Sequence, residues 1–156
     1  MSDKEKPVLF YGFKSGQKYG CFSNFYPASF TLDEKLWPTT EHYFMAQKTL
    51  NPEKVEKIRR ADGPREARRL GRIVELRPNW DNIKYNIMVK ALHAKFTQNE
   101  HICEILLSTG DRSIHENCKD PWWGGGPNFP GGRDLLGKAL IEVRTLIKTV
   151  NSLKEK

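Results

Sequence analysis

A carboxylate and an amine are spaced seven residues apart in a short segment. Glu41 and Lys48 are separated by residues that include Phe44 and Met45, and two threonines precede Glu41. Threonine is a common N-cap, so we expect a helix to begin here with Glu41 in its first turn, where the helix dipole favours negative charge. Seven residues span two helical turns, so both charged side chains would share one face with the apolar pair. A carboxylic acid and an amine placed in this way could act as an acid and a nucleophile.

A simpler interpretation of the same residues stays open. Glu41 could serve only the helix dipole, and Lys48 could extend its amine into water. Burial would lower the pKa of Lys48, whereas an ionised Glu41 would raise it, and the sequence does not decide which effect is larger. Burial of the pair would favour a functional role, because charged side chains are rarely buried unless they are paired or used.

Tryptophan and glycine are concentrated in the segment 111–133. It contains Trp122, Trp123, five glycines and three prolines, and it leads into a helical pattern near Asp134. Long segments without regular structure are commonly functional or disordered, and the aromatic residues argue against disorder. The tryptophans could stack on a nucleobase, and backbone N–H groups at the helix start could bind phosphate. Core packing of the tryptophans and a surface loop without a ligand are the alternatives.

The chain has an excess of positive charge. Its 26 lysines and arginines outnumber 19 acidic residues, which gives a formal net charge of +7. Such an excess suits a polyanionic partner or a phosphorylated ligand. A basic cluster could contact a nucleic-acid backbone, or it could form a solvated helical face that neighbouring acidic residues dilute. The cluster consists of Lys57, Arg59, Arg60, Arg65, Arg68, Arg69 and Arg72.

Most of the elements that would position these residues are helical. Asn51-Pro52 and Asp62-Gly63-Pro64 are typical helix starts, and a hairpin is expected to turn at Asp33-Glu34. Extended segments are predicted at residues 8–11 and 72–77. Further helices are predicted at residues 52–60, 64–71, 80–96, 100–110 and 134–150, and the 80–96 helix would turn Trp80, Ile83, Ile87, Ala91 and Ala94 or Lys95 inward.

These elements predict a single domain of the mainly α class over residues 7–150. A small antiparallel β element is expected near its N-terminus, and the tails at residues 1–6 and 151–156 are expected to fray. The three cysteines lack the spacing of a zinc site or a disulfide framework, and common nucleotide-binding glycine motifs are missing. We therefore expect neither a metal nor a cofactor. With no apolar run of membrane-spanning length and no signal segment, we expect an intracellular protein, cytoplasmic or, in a eukaryote, nuclear.

Taken in order along the chain, the motifs resemble those of the NADAR/YbiA-like family, which is associated with NAD and ADP-ribose metabolism. The resemblance covers about residues 10–147. The matching segments are Phe22-Ser23-Asn24-Phe25, Trp37-Pro38-Thr39-Thr40-Glu41-His42-Tyr43 with Gln47-Lys48, Trp80 opening a helix that ends in Ala94-Lys95-Phe96, Leu107-Ser108-Thr109-Gly110, Glu116, Trp123-Gly124, and Leu136-Gly137 with Val143-Arg144.

The resemblance implies a mainly α fold and an N-glycosidase that hydrolyses the bond between a ribose carbon and an amine nitrogen. The substrates that it implies are ADP-ribosylated guanine in nucleic acid for some members and early riboflavin-pathway intermediates for others. We expect the first, because the chain is basic, with ADP-ribosylated nucleic acid or an ADP-ribose-like nucleotide as the partner. A phosphoribosylamino-pyrimidine is the second hypothesis, and a module that binds ADP-ribose or nucleic acid without cleavage is the third.

By position, the resemblance implies an active site that contains Glu41, Lys48, Glu116, Trp80 and Trp123. We expect one of the two glutamates to be the acid, the tryptophans to stack on the base or adenine, and Asn24 to bind ribose or base; Lys95 is the alternative amine. The family usually has asparagine where this chain has Asp134, which could still cap the last helix but would repel a nearby phosphate. The predicted catalytic residues are Glu41, Lys48 and Glu116, and the predicted substrate-binding residues are Phe22, Asn24, Trp80, Lys95, Trp123, Gly124 and Asp134.

Overall fold

The structure, a computed structural model, describes residue 2 and residues 4–14 and 16–155. The chain divides into two compact units: a central unit, Asn24–Asn99, and a terminal unit formed by the chain up to Ser23 and from Glu100 onward. The domain limits 7–150 stay a prediction. The elements in chain order are β1 (Val8–Phe10), a 3₁₀ turn (Gly20–Phe22), β2 (Phe30–Leu32), β3 (Lys35–Trp37), α1 (Thr40–Ala46), α2 (Pro52–Arg59), α3 (Pro64–Gly71), α4 (Trp80–Thr97), α5 (Glu100–Ser108), β4 (Ile114–Glu116) and α6 (Leu135–Lys154).

The mainly α fold and its small antiparallel element are both confirmed. β2 and β3 pair antiparallel, and the turn between them places Asp33 at φ 52° and Glu34 at φ 66°. Two successive left-handed residues suit a two-residue hairpin, because their twist matches that of the strands. The Asp33 carboxylate accepts hydrogen bonds from the Tyr43 hydroxyl at 2.6 Å and from the Lys90 amine at 2.8 Å. The turn is thereby tied to α1 and α4.

Helix α1 is the centre of the central unit, and all its residues are buried. It packs against α2, α3 and α4. Thr39 caps it as predicted, with its hydroxyl accepting a hydrogen bond from the His42 N–H at 3.1 Å, a contact worth about 1 kcal/mol in typical helices. Gly71 ends α3 against Met45, and the contact leaves no room for a Cβ at this position. The glycine thus permits α1 and α3 to approach closely.

Two predictions about the limits of elements in the central unit are wrong. Helix α1 ends at Ala46, so Lys48 lies in the turn that follows rather than on the helix. Residues 72–77 do not form a strand; Ile73 and Leu76 are 71% and 54% exposed, and no strand pairs with this segment within the described chain. The backbone hydrogen bonds of this segment go instead to neighbouring turns, as from the Arg77 N–H to the Lys48 carbonyl at 2.8 Å.

The inward face of α4 also differs from the prediction. Ile83 and Ile87 are only half-buried, whereas Met88 and Leu92 are completely enclosed. The helix packs against α1 and β2, so its orientation toward these neighbours selects the buried stripe. Periodicity alone located the helix but misplaced part of its buried face.

The terminal unit contains a parallel strand pair that the sequence did not predict. β1 pairs with β4 in the register Val8 to Ile114 and Phe10 to Glu116. The segment 111–133 therefore includes regular structure. β4 also packs on α6, where Gly137 touches the carbonyl oxygen of Ile114 so closely that a side chain could not fit. β1 and β4 are about a hundred residues apart in sequence. A short strand whose partner is so distant has little local sequence signal, because tertiary structure brings the two strands together.

The last helix is longer than predicted. α6 runs through Lys154, four residues beyond the predicted end at residue 150; the fraying of the tail 151–156 stays a prediction. The chain has no glycine or proline after Gly137 to stop the helix. The buried Arg144 ties α6 to the end of α5, donating to the Thr109 hydroxyl at 2.9 Å and to the Arg112 carbonyl at 2.7 Å. No helix among the described residues has the length and apolar character to cross a membrane.

Candidate functional site

The predicted site residues divide between the two units. Asn24, Glu41, Lys48, Trp80 and Lys95 belong to the central unit, and the others belong to the terminal unit. Their functional roles stay predictions, and the following geometry concerns each unit by itself.

Glu41 is a buried carboxyl group in the first turn of α1. It is 3% exposed, and its Oε1 accepts a hydrogen bond from Nε of Arg68 at 3.3 Å. Burial raises the pKa of Glu41, and the positive charges of Arg68, Lys48 and Arg72 oppose that rise without cancelling it. Because Glu41 is buried, it is not simply a solvent-exposed charge at the start of a helix. A carboxyl group in this state can hold a proton at higher pH than an exposed one.

Lys48 lies just beyond α1, where its N–H donates to the Met45 carbonyl at 3.2 Å. Burial lowers the pKa of the Lys48 amine, and the attraction of Glu41 opposes this effect but is smaller. The charges of Arg72, Lys84 and Arg68 lower it further. Of the two opposing effects on the pKa of Lys48 that the sequence left open, burial is thus the larger. Both members of the Glu41–Lys48 pair are shifted toward their uncharged forms.

Asn24 helps to fix the start of α1. Its carbonyl oxygen accepts from the Glu41 N–H at 3.1 Å, and its Oδ1 accepts from the Thr40 hydroxyl at 2.8 Å. These bonds hold Asn24 beside Glu41, as a residue that contacts the same ligand would require. Its predicted ligand contact would use the amide nitrogen, because the amide oxygen is engaged with Thr40.

Trp80 and Lys95 are more buried than a ligand contact would suggest. Trp80 is 6% exposed, and its ring lies 5.1 Å from that of Phe44. Lys95 is completely enclosed, with its amine 5.8 Å from the Tyr26 ring centre and 5.2 Å from that of Phe96. Aromatic faces attract an ammonium group, so these rings stabilise the charge of Lys95. Both residues form part of the core in this structure.

Glu116 ends β4 in the terminal unit. Its carbonyl accepts hydrogen bonds from Cys118 at 2.9 Å and from Gly125 at 3.0 Å. The Cys118 thiol also contacts the Glu116 carboxylate. Burial raises the pKa of that thiol, a backbone hydrogen bond with Asp120 opposes the rise, and the negative charges of Glu116 and Asp120 add to it. The strand, the turn and the glycine segment therefore position Glu116 together.

The segment 111–133, which contains Trp122 and Trp123, is held by specific contacts. The Asp120 carboxylate accepts from the N–H groups of Trp122 at 2.9 Å and Trp123 at 3.0 Å. Gly124 packs so tightly against Cys118 that a Cβ could not be accommodated. Trp122 is the more exposed tryptophan, at 40%, and the Arg133 guanidinium lies 4.0 Å from its ring centre. Trp123 is half-buried and keeps part of its surface open to a ligand.

Asp134 occupies the N-cap position of α6, but its side chain makes no capping hydrogen bond there. The residue adopts φ 58°, and its Oδ2 lies 2.5 Å from Nδ1 of His115. Nε2 of His115 lies 2.9 Å from the Ser113 hydroxyl. The carboxylate points toward His115 instead of the helix N–H groups, and its buried Oδ1 has no hydrogen-bond partner among the described residues. Asp134 therefore forms a pair with His115, a histidine on β4.

Phe22 is a core residue of the terminal unit. It is 0% exposed, with its ring edge-on to Phe10 at 5.8 Å and stacked on Tyr19 at 5.3 Å. This packing leaves its ring no surface for a ligand in this conformation. No three His, Cys, Asp or Glu side chains of the described chain are grouped as metal ligands.

The basic cluster is largely ion-paired. Glu56 contacts Arg59 and Arg60, Glu66 contacts Arg69 at 2.6 Å, and Glu41 contacts Arg68. These pairs support a solvated helical face for much of the cluster. Sequence reasoning missed Arg68, His115 and Cys118 as neighbours of predicted site residues, and only the membership of Arg68 in the basic cluster gave any sign of it.

The chain is similar to known proteins over most of its length. The NADAR domain family matches residues 9–148. N-glycosidase YbiA of Shigella boydii is 42% identical over 135 residues, which cover 85% of this chain and 84% of that protein. A riboflavin biosynthesis protein of Vibrio vulnificus is 37% identical over 143 residues, 90% of this chain but 38% of that protein. The NMR structure of E. coli YbiA aligns with a TM-score of 0.82 and 36% identity, covering 94% of this chain and 88% of the other.

Proposed function

This chain belongs to the NADAR domain family, and we propose that, as an N-glycosidase of that family, it hydrolyses the bond between a ribose carbon and an exocyclic amine nitrogen. The observation that carries this proposal is the pair formed by the buried Glu41 and the half-buried Lys48. Burial raises the pKa of Glu41 and lowers that of Lys48, so both groups are shifted toward the forms that a proton donor and a nucleophilic amine require. Such opposed shifts are typical of sites that perform acid–base chemistry.

Glu41 is the proposed acid. Its proton passes to the departing amine nitrogen while the bond from that nitrogen to the anomeric carbon breaks. Water then adds to the anomeric carbon and returns a proton to Glu41. Positive charge develops on the sugar during this step, and the carboxylate left behind stabilises it. Glu116 stays a predicted second acid.

The first candidate substrate is guanine that carries ADP-ribose in nucleic acid. The net charge of +7 supports it, because a basic protein attracts a polyanion. The ion pairs in the basic cluster weaken this support, since Glu56 and Glu66 neutralise arginines that would otherwise contact a phosphate backbone.

The second candidate is a phosphoribosylamino-pyrimidine intermediate of riboflavin synthesis. The name of the Vibrio vulnificus relative favours it. So does the pairing of the cluster arginines, because a small phosphorylated substrate needs no extended basic surface. Both candidates contain a ribose joined to an exocyclic amine, so the proposed chemistry is the same for either.

The test is to incubate the protein with each substrate separately and measure the released amine. Release from either substrate supports the N-glycosidase, and the faster reaction identifies the preferred substrate. Binding of ADP-ribose with no release from either substrate would favour a non-catalytic binding module. Glu41→Gln tests the role of Glu41 as the acid and should release the amine more slowly. Glu66→Gln is its matched control, because Glu66 lies on α3 and is paired with Arg69.

A further inference from the structure

Two neighbours hold Arg68 in a defined orientation. Its Nε donates to Glu41 at 3.3 Å, and its guanidinium lies 4.3 Å from the ring centre of Phe25. A guanidinium has five N–H donors, and the bond to Glu41 uses only the one on Nε. Nη1 and Nη2 make no hydrogen bond to any described residue, and 42% of the side chain is exposed. Four donors are thus presented to solvent beside a buried carboxyl group.

Arg72 adds a second positive charge one helical turn further on. Its N–H donates to the Arg68 carbonyl at 3.0 Å, and its side chain is exposed. Residues four apart on a helix are neighbours, and two like charges at this spacing repel each other. Burial raises the pKa of Glu41, and both arginines oppose that rise, so both act on the same group. The charges of both arginines therefore act on the region next to Glu41.

The charge in this region is not balanced by its single acid. Even an ionised Glu41 would balance only one of the two positive charges of Arg68 and Arg72. Elsewhere in the central unit, the exposed Arg60 and Arg69 each have an acidic partner, Glu56 and Glu66 respectively. An anion between Arg68 and Arg72 would offset the repulsion between their charges and accept hydrogen bonds from the open donors of Arg68.

We propose that Arg68 and Arg72 bind a phosphate group of the substrate beside Glu41. The planar fork of Arg68 suits two parallel hydrogen bonds to phosphate oxygens, and Phe25 keeps that fork in place. The identity of the ligand as a phosphorylated ribose rests on the proposed function. A phosphate monoester on ribose and the diphosphate of ADP-ribose share this chemistry, so either could supply the group.

The experiment is calorimetric titration of the full chain with ribose 5-phosphate, ADP-ribose and unphosphorylated ribose. The variants are Arg72→Gln and Arg68→Lys, with Arg60→Gln as the matched control, because Arg60 is exposed and paired with Glu56. We expect the wild type and the control to bind at least one phosphorylated ligand better than ribose. Each test variant should weaken that binding about tenfold to a hundredfold, as expected for the loss of charge-assisted hydrogen bonds. Binding of ribose should not change.

The proposal is overturned if the wild type binds neither phosphorylated ligand better than ribose, or if Arg72→Gln binds them as the wild type does. Should Arg68→Lys fail to fold, Arg72→Gln decides the matter, because its side chain is exposed. Dependence on the arginines for ADP-ribose alone would support the site and identify the diphosphate as the group bound. Because no turnover is needed, arginine-dependent binding without cleavage would support this site while refuting the proposed function.

Discussion

Replacing Glu41 by glutamine should stabilise the protein at neutral pH. Burial raises the folded-state pKa of Glu41 above its ordinary value of 4.5, so the folded chain holds this proton more tightly than the unfolded chain. The resulting stabilisation is fully present below pH 4.5 and is lost as the pH rises through the folded pKa. Glutamine has the same shape and cannot ionise, so the variant avoids this loss.

The size of the effect follows from proton linkage. For each pH unit between the ordinary and the folded pKa, the wild type should lose about 1.4 kcal/mol relative to Glu41→Gln. Against this, the variant gives up the ion pair with Arg68, whose side chain is 42% exposed, and such pairs contribute about 0–1 kcal/mol. The raised pKa of Glu41 already includes the opposing attraction of Arg68, so the net effect keeps the sign of burial. For a chain of this length, the melting temperature should change by about 3–5 °C per pH unit.

The assay is urea or thermal unfolding of both proteins from pH 4.5 to pH 7.5. We expect the curves to agree near pH 4.5 and the variant to become the more stable protein above it. Glu66→Gln is the control: the hydrogen bond from Arg69 lowers the pKa of Glu66, so its loss should give no gain at neutral pH. If Glu41→Gln is less stable than the wild type at pH 7.5, and increasingly so with pH, then the Arg68 ion pair outweighs burial and the reasoning fails.

Three further predictions concern the ligand. Trp123→Ala should weaken substrate binding by about ten- to a hundredfold with little change in melting temperature; a loss of stability typical of a core deletion would contradict this. Reversing the charges of Arg65 and Arg69 should weaken binding to modified DNA and flatten its salt dependence, with ADP-ribose binding unchanged, when both ligands are titrated at several salt concentrations; equal losses for both ligands would assign these arginines to the fold or a pocket. If the Lys48 amine forms an imine with the opened ribose, borohydride added during turnover should leave a ribosyl adduct on Lys48 that mass spectrometry detects. If no lysine carries an adduct and Lys48→Arg keeps full turnover, the imine route is refuted and direct acid-assisted hydrolysis is the remaining mechanism.

Local features of the fold could be predicted because they depend on neighbouring residues. The Thr39 cap, the Asn51 cap and the turn at Asp33-Glu34 are each decided by a few side chains and their backbone. Each of these elements was predicted within a few residues of its observed position. In contrast, β4 was missed, because a strand of three residues needs its distant partner, β1, to form.

The site was predictable in residue type but not in contacts. The Glu41–Lys48 spacing indicated an unusual pair, but the balance between burial and attraction needed the packing of α1. Arg68 lies 27 residues from Glu41 in sequence, and helical periodicity does not extend between separate helices. Likewise, the orientation of Asp134 toward His115 depends on a left-handed backbone at the start of α6, whereas the usual preference of aspartate predicts a cap.

The most direct test of the central claim is the rate at which amine is released from an N-ribosylated substrate by the wild type, Glu41→Gln and Glu66→Gln. Both ADP-ribosylated guanine and the phosphoribosylamino-pyrimidine should be assayed, at the pH where all three proteins are folded. We expect the wild type and Glu66→Gln to release product from at least one substrate at equal rates, and Glu41→Gln to be slower by about a hundredfold or more. Equal rates for Glu41→Gln and the wild type would contradict the assignment of Glu41 as the acid, and no release from either substrate by the wild type would contradict the proposed N-glycosidase chemistry.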